Sequence, residues 1–358
     1  MIDIKKEKDN QKARSFCYEF INSNKPKYIF GRNEFAESIA NHIEIDGFID
    51  EFTKDSLFLG KPIINIKNIP ENALVIIVVV KGRPLIAEKR AQLFKLNYLN
   101  YYSFLKYSNL ELKNIYSWAG FKSDFKINRI EYENIFEKFQ DATSKNQYQN
   151  ILNFRLHHNL DFMRDFKAIE DRQYFEEFLN LKKSGETFVD IGGFDGYTSI
   201  EFINRCPDYN SVYFFEPDET NIAIAKNRLE KFKNIIFNPI GASNKKETLN
   251  FDTRGSASKI SKDGSSSINV DKLDNIIKKP VTFIKMDIEG AEKPAIEGAK
   301  NIIMAYHPTL AICVYHRFDD FWKIPQLVFS IRDDYDIYLR HYSEGVDETV
   351  MFFVPKKI

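Results

Sequence analysis

The sequence has 358 residues, of which 43% are hydrophobic and 28% charged. This length indicates about two domains, and the composition excludes a largely disordered chain. The 51 basic and 51 acidic residues cancel, which argues against a protein that binds nucleic acid through a strongly basic surface. The longest unbroken apolar run, residues 73–80, is far too short to cross a bilayer.

The cysteines and the first residues bear on the compartment. Residues 1–14 are densely charged and lack the apolar core of a secretory signal. Cys17, Cys206 and Cys313 show neither a metal-binding spacing nor an even-numbered disulfide framework. We therefore expect a cytoplasmic protein with no integral membrane segment and no nucleic-acid partner. The sequence leaves open whether the protein is a homo-oligomer.

Residues 1–105 have the pattern of a small α/β Rossmann-like domain. The spacing of apolar residues predicts strands at 27–30, 47–50 and 73–80 and helices at 34–42 and 84–94. Gly31 stands alone where a dinucleotide site has three glycines, although Asp50 follows at about the ribose-binding distance. This favours a non-catalytic domain over an active nucleotide site. The sequences DGFID (46–50) and GKPII (60–64) weakly resemble the small N-terminal domains of bacterial sugar-modifying enzymes.

The rest of the chain divides into two parts. Residues 106–182 are polar, aromatic-rich and helical in pattern, and we predict a helical connector. Residues 183–358 alternate strands and helices, which predicts an α/β fold with an open, doubly wound sheet and ligand binding at the carboxyl ends of its strands. The predicted strands are 187–191, 211–215, 235–239, 281–286 and 310–315, with helices at 198–204, 221–231 and 293–303 and a Ser/Gly loop before residue 281.

The strongest local signal is FVDIGGFDG at residues 188–196, a strand that runs into a glycine-rich turn and then a helix. Glycines let a backbone turn sharply and approach a ligand, and this spacing is neither a P-loop nor a dinucleotide fingerprint. Two acids within the turn suit a cationic ligand better than a pyrophosphate, while a structural turn with helix caps is the competing interpretation. The candidate cofactor-binding residues here are Asp190, Gly192, Gly193, Asp195 and Gly196.

Two further positions extend this candidate site. Glu216 ends the next predicted strand, where an acid can accept both hydroxyls of a ribose. Gly241 and Ala242 follow the third strand, and small residues there leave room for an adenine ring or form a tight turn. Together with the acids of the glycine turn, they indicate an adenosine ligand whose other end is cationic. S-adenosylmethionine fits that description.

The sequence IKMDIEGAE at residues 284–292 places Lys285, Asp287 and Glu289 at one strand end. Charges that converge at such an edge are costly unless they are paired or used. The functional interpretation is an acceptor-binding, proton-removing group, and a salt-bridged surface strand end is the alternative. Asp287, Glu289 and His316 are the candidate catalytic residues, with His316 chosen because imidazole titrates near neutral pH. A water-clad Mg²⁺ on Asp287 and Glu289 would also activate a hydroxyl, but the sequence does not require a metal.

The sequences VDIGGFDG (189–196), FEP (215–217), IKMDIEGAE (284–292) and GA (298–299) resemble the FkbM family of S-adenosylmethionine-dependent methyltransferases. The resemblance extends through AICVYH (311–316) and YLRHY (338–342), and so covers about residue 149 to the C-terminus. It implies a class I methyltransferase domain that binds the cofactor at the glycine turn and Glu216. Gly193 and Phe194 depart from the Ala and Asn of many members.

The resemblance implies O-methylation of a hydroxyl, and we expect a sugar of a bacterial surface polysaccharide or glycolipid, free or nucleotide-linked, as the acceptor. Methylation of a small non-sugar acceptor and a non-catalytic nucleotide-binding module are the alternatives. Arg340 and His341 are equally compatible with binding an anionic acceptor and with a solvated charged edge.

Overall fold

The structure is a computed structural model that describes residues 1–252, 259–260 and 266–356. Two separate α/β sheets and a group of helices between them make up most of the molecule. Among the described residues, every helix is too short or too polar to span a bilayer.

The first sheet lies within residues 27–100 and has the strand order β3-β4-β2-β1-β5-β6. All its strands are parallel except β3, which pairs antiparallel with β4 at the edge. Its elements and the helix before them are α1 (Gln11–Asn22), β1 (Lys27–Phe30), α2 (Glu34–Ala40), β2 (Gly47–Ile49), β3 (Leu57–Phe58), β4 (Lys61–Ile64), β5 (Leu74–Ile77), α3 (Pro84–Leu93) and β6 (Asn97–Asn100). The continuous apolar run at 73–80 supplies β5, a central strand buried on both faces.

Four α-helices follow the first sheet between Tyr101 and His157, and short 3₁₀ turns lie between and after them, whereas the sequence predicted a helical connector at 106–182. The helices are α4 (Tyr101–Tyr107), α5 (Phe121–Ile127), α6 (Arg129–Lys138) and α7 (Ala142–His157), with short 3₁₀ turns at Tyr116–Trp118, Leu160–Met163, Glu170–Arg172 and Glu177–Leu179. Helix α7 packs on the far edge of the second sheet, where Ser144 Oγ accepts a hydrogen bond from the Leu339 amide at 2.9 Å. The helix thereby covers an exposed strand edge.

The second sheet has seven strands in the order β16-β17-β15-β14-β7-β8-β9. Strand β17 pairs antiparallel with both of its neighbours, and the other strands run parallel to one another. The elements are β7 (Thr187–Ile191), α8 (Tyr197–Arg205), β8 (Ser211–Phe215), α9 (Glu219–Leu229), β9 (Ile235–Asn238), β10 (Gly241–Ala242), β11 (Glu247–Asp252), β12 (Lys259–Ile260), β13 (Ser266–Asp271), α10 (Leu273–Ile276), β14 (Phe283–Met286), α11 (Glu292–Gly298), α12 (Lys300–Tyr306), β15 (Thr309–Cys313), α13 (Asp320–Ile331), β16 (Tyr335–His341) and β17 (Thr349–Pro355).

Two sequence predictions in this half need correction. The helix predicted at 293–303 is two helices, α11 and α12, which meet at Ala299. The Ser/Gly loop falls partly outside the described residues, and the residues around it form a small sheet of β10, β11, β12 and β13. Strands β11 and β13 pair antiparallel over five residues. These strands are short and polar, so the spacing of apolar residues does not predict them.

The two sheets are joined through a continuous interior. One hydrophobic cluster includes Val80 next to the first sheet, Phe154 of α7, and Ile191 and Ile337 of the second sheet. The loop between β16 and β17 also contacts the loop that follows β5 of the first sheet. The Glu344 amide donates a hydrogen bond to the Gly82 carbonyl there, at 2.9 Å. The division at residues 105 and 182 stays a prediction.

Candidate active site

The carboxyl ends of β7, β8 and β14 open into a cavity of about 530 Å³. Its lining comes from both halves of the chain. The part from residue 183 onward contributes, among others, Gly192, Glu216, Gly241, Asp287, Glu289 and His316. The part before residue 183 contributes Glu34, Phe35, Val80, Lys81 and residues 113–117. Sequence analysis missed this second group, because the loops that bring it to the cavity are distant in the chain.

The glycine turn is shaped by packing as much as by any ligand. Gly192 has a φ of +74°, and a Cβ there would lie 1.9 Å from the Asp287 carbonyl oxygen. A Cβ on Gly193 would lie 2.2 Å from the Phe214 ring. These glycines therefore let β7 leave the sheet between its neighbours β14 and β8. The sequence analysis attributed these glycines to ligand binding and did not predict that packing against β14 and β8 also requires them.

Asp190 lies beneath the turn and does not line the cavity. It is fully buried, accepts a hydrogen bond from Ser199 Oγ at 2.7 Å and forms an ion pair with Lys285 at 3.2 Å. Lys285 Nζ also donates to the Gly192 carbonyl at 2.6 Å. Burial lowers the pKa of this ammonium, but Asp190 and then Asp287 outweigh it, so the net shift is upward. The buried ion pair of Asp190 and Lys285 thereby stabilises the glycine turn from the interior of the protein.

The other residues predicted around the turn divide between cavity and core. Asp195 lines the cavity, and its carboxylate forms an ion pair with Arg228 at 2.6 Å. Gly196 does not line the cavity and packs against Leu229. Phe194, which sequence analysis did not select, is 38% exposed and lines the cavity.

Glu216 has the position expected of a hydroxyl acceptor. One carboxylate oxygen accepts the Phe194 amide at 3.0 Å and the other accepts the Asp218 amide at 2.9 Å. Burial raises the pKa of Glu216, although these two hydrogen bonds oppose the shift. The Asn221 side chain also hydrogen-bonds this carboxylate, and Glu216 lines the cavity.

Gly241 and Ala242 also line the cavity, beside an apolar wall that the sequence did not reveal. The wall consists of Ile240, Ile268 and Val270. The latter two residues belong to β13, so the small sheet inserted before β14 forms this side of the cavity. A flat, apolar group fits against such a surface.

Asp287, Glu289 and His316 come together as the sequence predicted. His316 Nε2 lies 3.4 Å from Asp287 Oδ1 and 3.7 Å from Glu289 Oε2. On its other side, Nδ1 lies 2.8 Å from Oε1 of the buried Glu292. Glu292 was not predicted as part of the site, because nothing in the spacing shows that its side chain reaches His316.

The environment of His316 contradicts its predicted titration near neutral pH. Burial lowers the pKa of the imidazole, but Glu292, Asp287 and Glu289 together outweigh burial and raise it to about 10. The ring is therefore protonated at neutral pH and pairs with carboxylates. It is poorly suited to accept a proton there.

The two carboxylates facing His316 differ from each other. Burial raises the pKa of Asp287, but His316, Lys285 and the Tyr174 hydroxyl at 2.7 Å outweigh burial and lower it. For Glu289, burial outweighs the attraction of His316 and raises the pKa to about 7. Glu289 also has a φ of +52°, a strained conformation for a residue with a side chain. Asp287 is thus a fixed anion, and Glu289 can exchange a proton near pH 7.

Asp287, Glu292 and His316 also have nitrogen and oxygen atoms within 4.8 Å of one another, the spacing of a candidate cation site. Oε1 of Glu292, however, already accepts the Ile288 and Gly290 amides and the His316 ring. The protonated His316 ring has no free lone pair for a cation, and we interpret the group as a hydrogen-bonded cluster.

The remaining predicted positions lie outside this cavity. Arg340 forms an ion pair with Asp141 at 2.6 Å, and His341 is buried, with a pKa that burial lowers to about 3. Neither residue lines the cavity. Asp50 of the first unit is paired with Arg32 at 2.7 Å and is also not part of the lining.

The strand order with its single antiparallel strand, the glycine turn after β7 and the acid that ends β8 define the class of protein. It is a class I S-adenosylmethionine-dependent methyltransferase. Residues 190–344 match the family model described as the methyltransferase FkbM domain. The matched segment includes the candidate site residues from Asp190 to His316.

Solved structures show how far the fold is shared. The chain is similar to the crystal structure of methyltransferase FkbM from Methylobacillus flagellatus KT, with a TM-score of 0.77 and 23% identity over 96% of this chain and 93% of that one. Since only 4% of the chain lies outside that match, the shared fold includes the first sheet. No match was found among curated proteins.

Two other similarities cover about half of the chain at low TM-scores. An rRNA methylase from Streptococcus thermophilus is 14% identical, with a TM-score of 0.35 over 51% of this chain and 93% of that chain. Fibrillarin from Aeropyrum pernix, solved with natively bound S-adenosyl-L-methionine, is 10% identical, with a TM-score of 0.33 over 48% of this chain and 67% of that chain.

Proposed function

We propose that the cavity binds S-adenosylmethionine and that the protein transfers its methyl group to a hydroxyl of a sugar used in bacterial surface polysaccharide or glycolipid biosynthesis. One observation carries the proposal: Glu216 and the cluster of Asp287, Glu289 and His316 line the same cavity. The first has the chemistry to hold a nucleoside and the second has the chemistry to activate a hydroxyl.

On the donor side, the carboxylate of Glu216 would accept the two ribose hydroxyls, and the wall of Ile240, Ile268 and Val270 would receive the adenine ring. The carboxylates of Asp195 and Asp287 supply the negative charge that a sulfonium and an ammonium require. The bound cofactor supplies the activated methyl group.

On the acceptor side, methyl transfer is an in-line displacement. The hydroxyl oxygen forms a bond to the methyl carbon, the carbon–sulfur bond breaks with its electrons passing to sulfur, and the hydroxyl proton passes to a base. Glu289 is the best candidate for that base because its pKa of about 7 matches neutral operation. Asp287 and the protonated His316 would position the acceptor, and His316 would also stabilise the ionised form of Glu289.

The charges of the lining favour a neutral or amine-bearing acceptor over a nucleotide-linked sugar. Described residues that line the cavity include seven carboxyl groups, namely Glu34, Asp195, Glu216, Asp287, Glu289, Asp347 and Glu348, against three lysines, Lys81, Lys113 and Lys285, and the protonated His316. Lys285 is already paired with Asp190. A pyrophosphate in this space would face a surplus of negative charge.

We propose that the enzyme works in the cytoplasm. Its three cysteines are buried free thiols, as is usual for proteins of a reducing compartment.

The donor site is tested by titrating the protein with S-adenosylhomocysteine in a calorimeter. Glu216→Gln should weaken binding at least tenfold, about 1.4 kcal/mol or more, because the amide offers one acceptor oxygen in place of two. Glu219→Gln is the matched control, an exposed acid of α9 that does not line the cavity. Equal affinities for wild type and Glu216→Gln would contradict the proposed nucleoside position.

The acceptor is tested with radiolabelled S-adenosylmethionine and a panel of neutral sugars, amino sugars and nucleotide sugars. We expect the radiolabelled methyl group to be transferred to the neutral or amino sugars and to be recovered there as a methyl ether. Transfer confined to nucleotide sugars would show that the charge argument is wrong, and transfer to none of them would count against a sugar acceptor.

A further inference from the structure

Glu292 is a buried carboxylate to which the proposed reaction gives no role. It is the first residue of helix α11, it is 1% exposed, and it does not line the first cavity. A carboxylate is costly to bury unless other groups stabilise its charge. The groups that do so here belong to the candidate active site.

One oxygen of Glu292 contacts two separate parts of that site. Oε1 accepts the backbone amides of Ile288 at 3.0 Å and Gly290 at 3.4 Å, the two residues that flank Glu289 in the turn after β14. The same oxygen lies 2.8 Å from Nδ1 of His316, which follows β15. A single buried atom therefore joins the turn that carries Glu289 to the imidazole that faces it.

The contact with Glu292 also determines how the imidazole is turned. Among the described residues it is the one hydrogen bond that the His316 side chain makes, because Nε2 has no partner with hydrogen-bond geometry. With Nδ1 held by Glu292, Nε2 lies on the opposite side of the ring, 3.4 Å from Asp287 Oδ1 and 3.7 Å from Glu289 Oε2. Without this bond, only packing would keep the ring in that orientation.

Charged side chains face His316 from several elements. Burial lowers the pKa of the imidazole, and Glu292 raises it most, followed by Asp287 and Glu289. Further acids act on the ring from α13 and from the loop between β16 and β17, namely Asp320, Asp347 and Glu348. Three lysines of this region are each paired with an acid, Lys81 with Asp347, Lys285 with Asp190 and Lys293 with Asp320.

We propose that Glu292 is a positioning residue of the methyl transfer, which fixes the His316 ring relative to the turn of Glu289 so that Nε2 faces the two carboxylates on the acceptor side. The role in methyl transfer rests on the proposed function, whereas the contacts of Glu292 do not. An acid in the first turn of a helix also stabilises the helix itself, so a purely structural role is the alternative.

Glu292→Gln separates the two roles. The amide oxygen of glutamine can still accept the Ile288 and Gly290 amides, so the turn and the start of the helix are kept, but the negative charge beside Nδ1 is lost. The imidazole should then release its proton more easily. The matched control is Glu297→Gln, the same change at an exposed position of α11 outside the cavity.

The charge of the ring is measured by NMR on protein labelled with ¹³C at histidine Cε1. The chain has six histidines, and the signal that is lost in His316→Gln identifies this ring. In the wild type it should titrate near pH 10. Glu292→Gln should lower this midpoint by at least about one pH unit, a tenfold loss of proton affinity, and Glu297→Gln should leave it unchanged.

The role in the reaction is measured with an acceptor sugar identified by the panel described above. Glu292→Gln should lower kcat about 10–100-fold, since small displacements from a reactive geometry cost up to about 10²-fold. The affinity for S-adenosylhomocysteine should not change. The upper limb of the pH–rate profile should move down together with the His316 midpoint, whereas a purely structural role would move neither of them.

Glu292→Asp keeps the charge but withdraws it from Nδ1 by one methylene, and should give an intermediate midpoint and an intermediate kcat. This variant decides the question if Glu292→Gln does not fold, as judged by circular dichroism. A wild-type midpoint near the ordinary 6.5 of histidine, equal midpoints in wild type and variants, or an unchanged kcat each overturns the proposal. If no sugar is methylated, the proposed function and the role in methyl transfer fail together, while the NMR midpoints still decide whether Glu292 holds the ring.

Discussion

The carboxylates of the first cavity take different roles because their neighbours differ. Asp287 faces Lys285, His316 and a tyrosine hydroxyl, all of which favour its ionised form. Glu289 is two residues further on, and burial dominates its titration. A pair of acids whose pKa values are driven apart by environment is the usual arrangement in acid–base catalysis.

Glu289→Gln tests the proposed base. The groups that act on the pKa of Glu289 are His316, Asp287, Lys81 and Glu292. Since a base must be deprotonated, kcat/KM of the wild type should rise with pH to a plateau above about 7, and fall again near the pKa of His316, about 10. The variant should lose about 10²–10⁴-fold in kcat and lose the lower limb of this profile.

The measurement is initial rates from pH 5.5 to 10.5, with Glu297→Gln, an exposed acid outside the cavity, as the control. A lower limb that persists in Glu289→Gln would show that another group accepts the proton.

Sequence reasoning selected candidate catalytic residues that lie together in the structure, but it did not identify their partners. Asp287, Glu289 and His316 were identifiable because each follows the end of a predicted strand, and parallel strand ends meet at one edge of a sheet. Glu292 could not be placed against His316, because side-chain direction at the start of a helix is not readable from spacing. The consequence was a wrong expectation for the titration of His316.

At the scale of elements, the glycine turn after β7 has only enough room for glycine between the neighbouring strands β14 and β8. Gly193→Ala should destabilise the protein by about 1–3 kcal/mol, since its Cβ would lie 2.2 Å from the Phe214 ring, which cannot retreat within a filled core. Gly185→Ala measures the cost of backbone strain alone, because its φ of +82° is unfavourable for alanine while no atom lies within 4 Å of the added Cβ. Urea unfolding would measure both changes, and a Gly193→Ala variant as stable as the wild type would show that Phe214 yields freely.

Strand boundaries were predicted well where apolar residues alternate with clear turn signals. Strands β1, β7 and β8 begin and end at the predicted residues. The sequence analysis did not predict the small sheet before β14, because its short, polar strands lack a clear apolar pattern and pair only with one another. The apolar wall at Ile268 and Val270 was therefore missed with it.

At the scale of the whole molecule, the two sheets share one interior, so the chain should unfold as one unit. We expect a single calorimetric transition whose van't Hoff enthalpy equals the calorimetric enthalpy. Two transitions would show that the contacts around Val80, Gly82 and Glu344 do not couple the sheets. The sequence foresaw both α/β units but not this contact, because residues more than 250 positions apart form it.

Asn114 lines the candidate active site and also a second cavity of about 800 Å³ between the connector helices and the N-terminal segment. A ligand in either cavity that moved this side chain would change the shape of the other cavity. Such communication is reciprocal by thermodynamic necessity. Whatever factor a ligand in one cavity imposes on the affinity of the other cavity for its own ligand, that second ligand must impose on the affinity for the first.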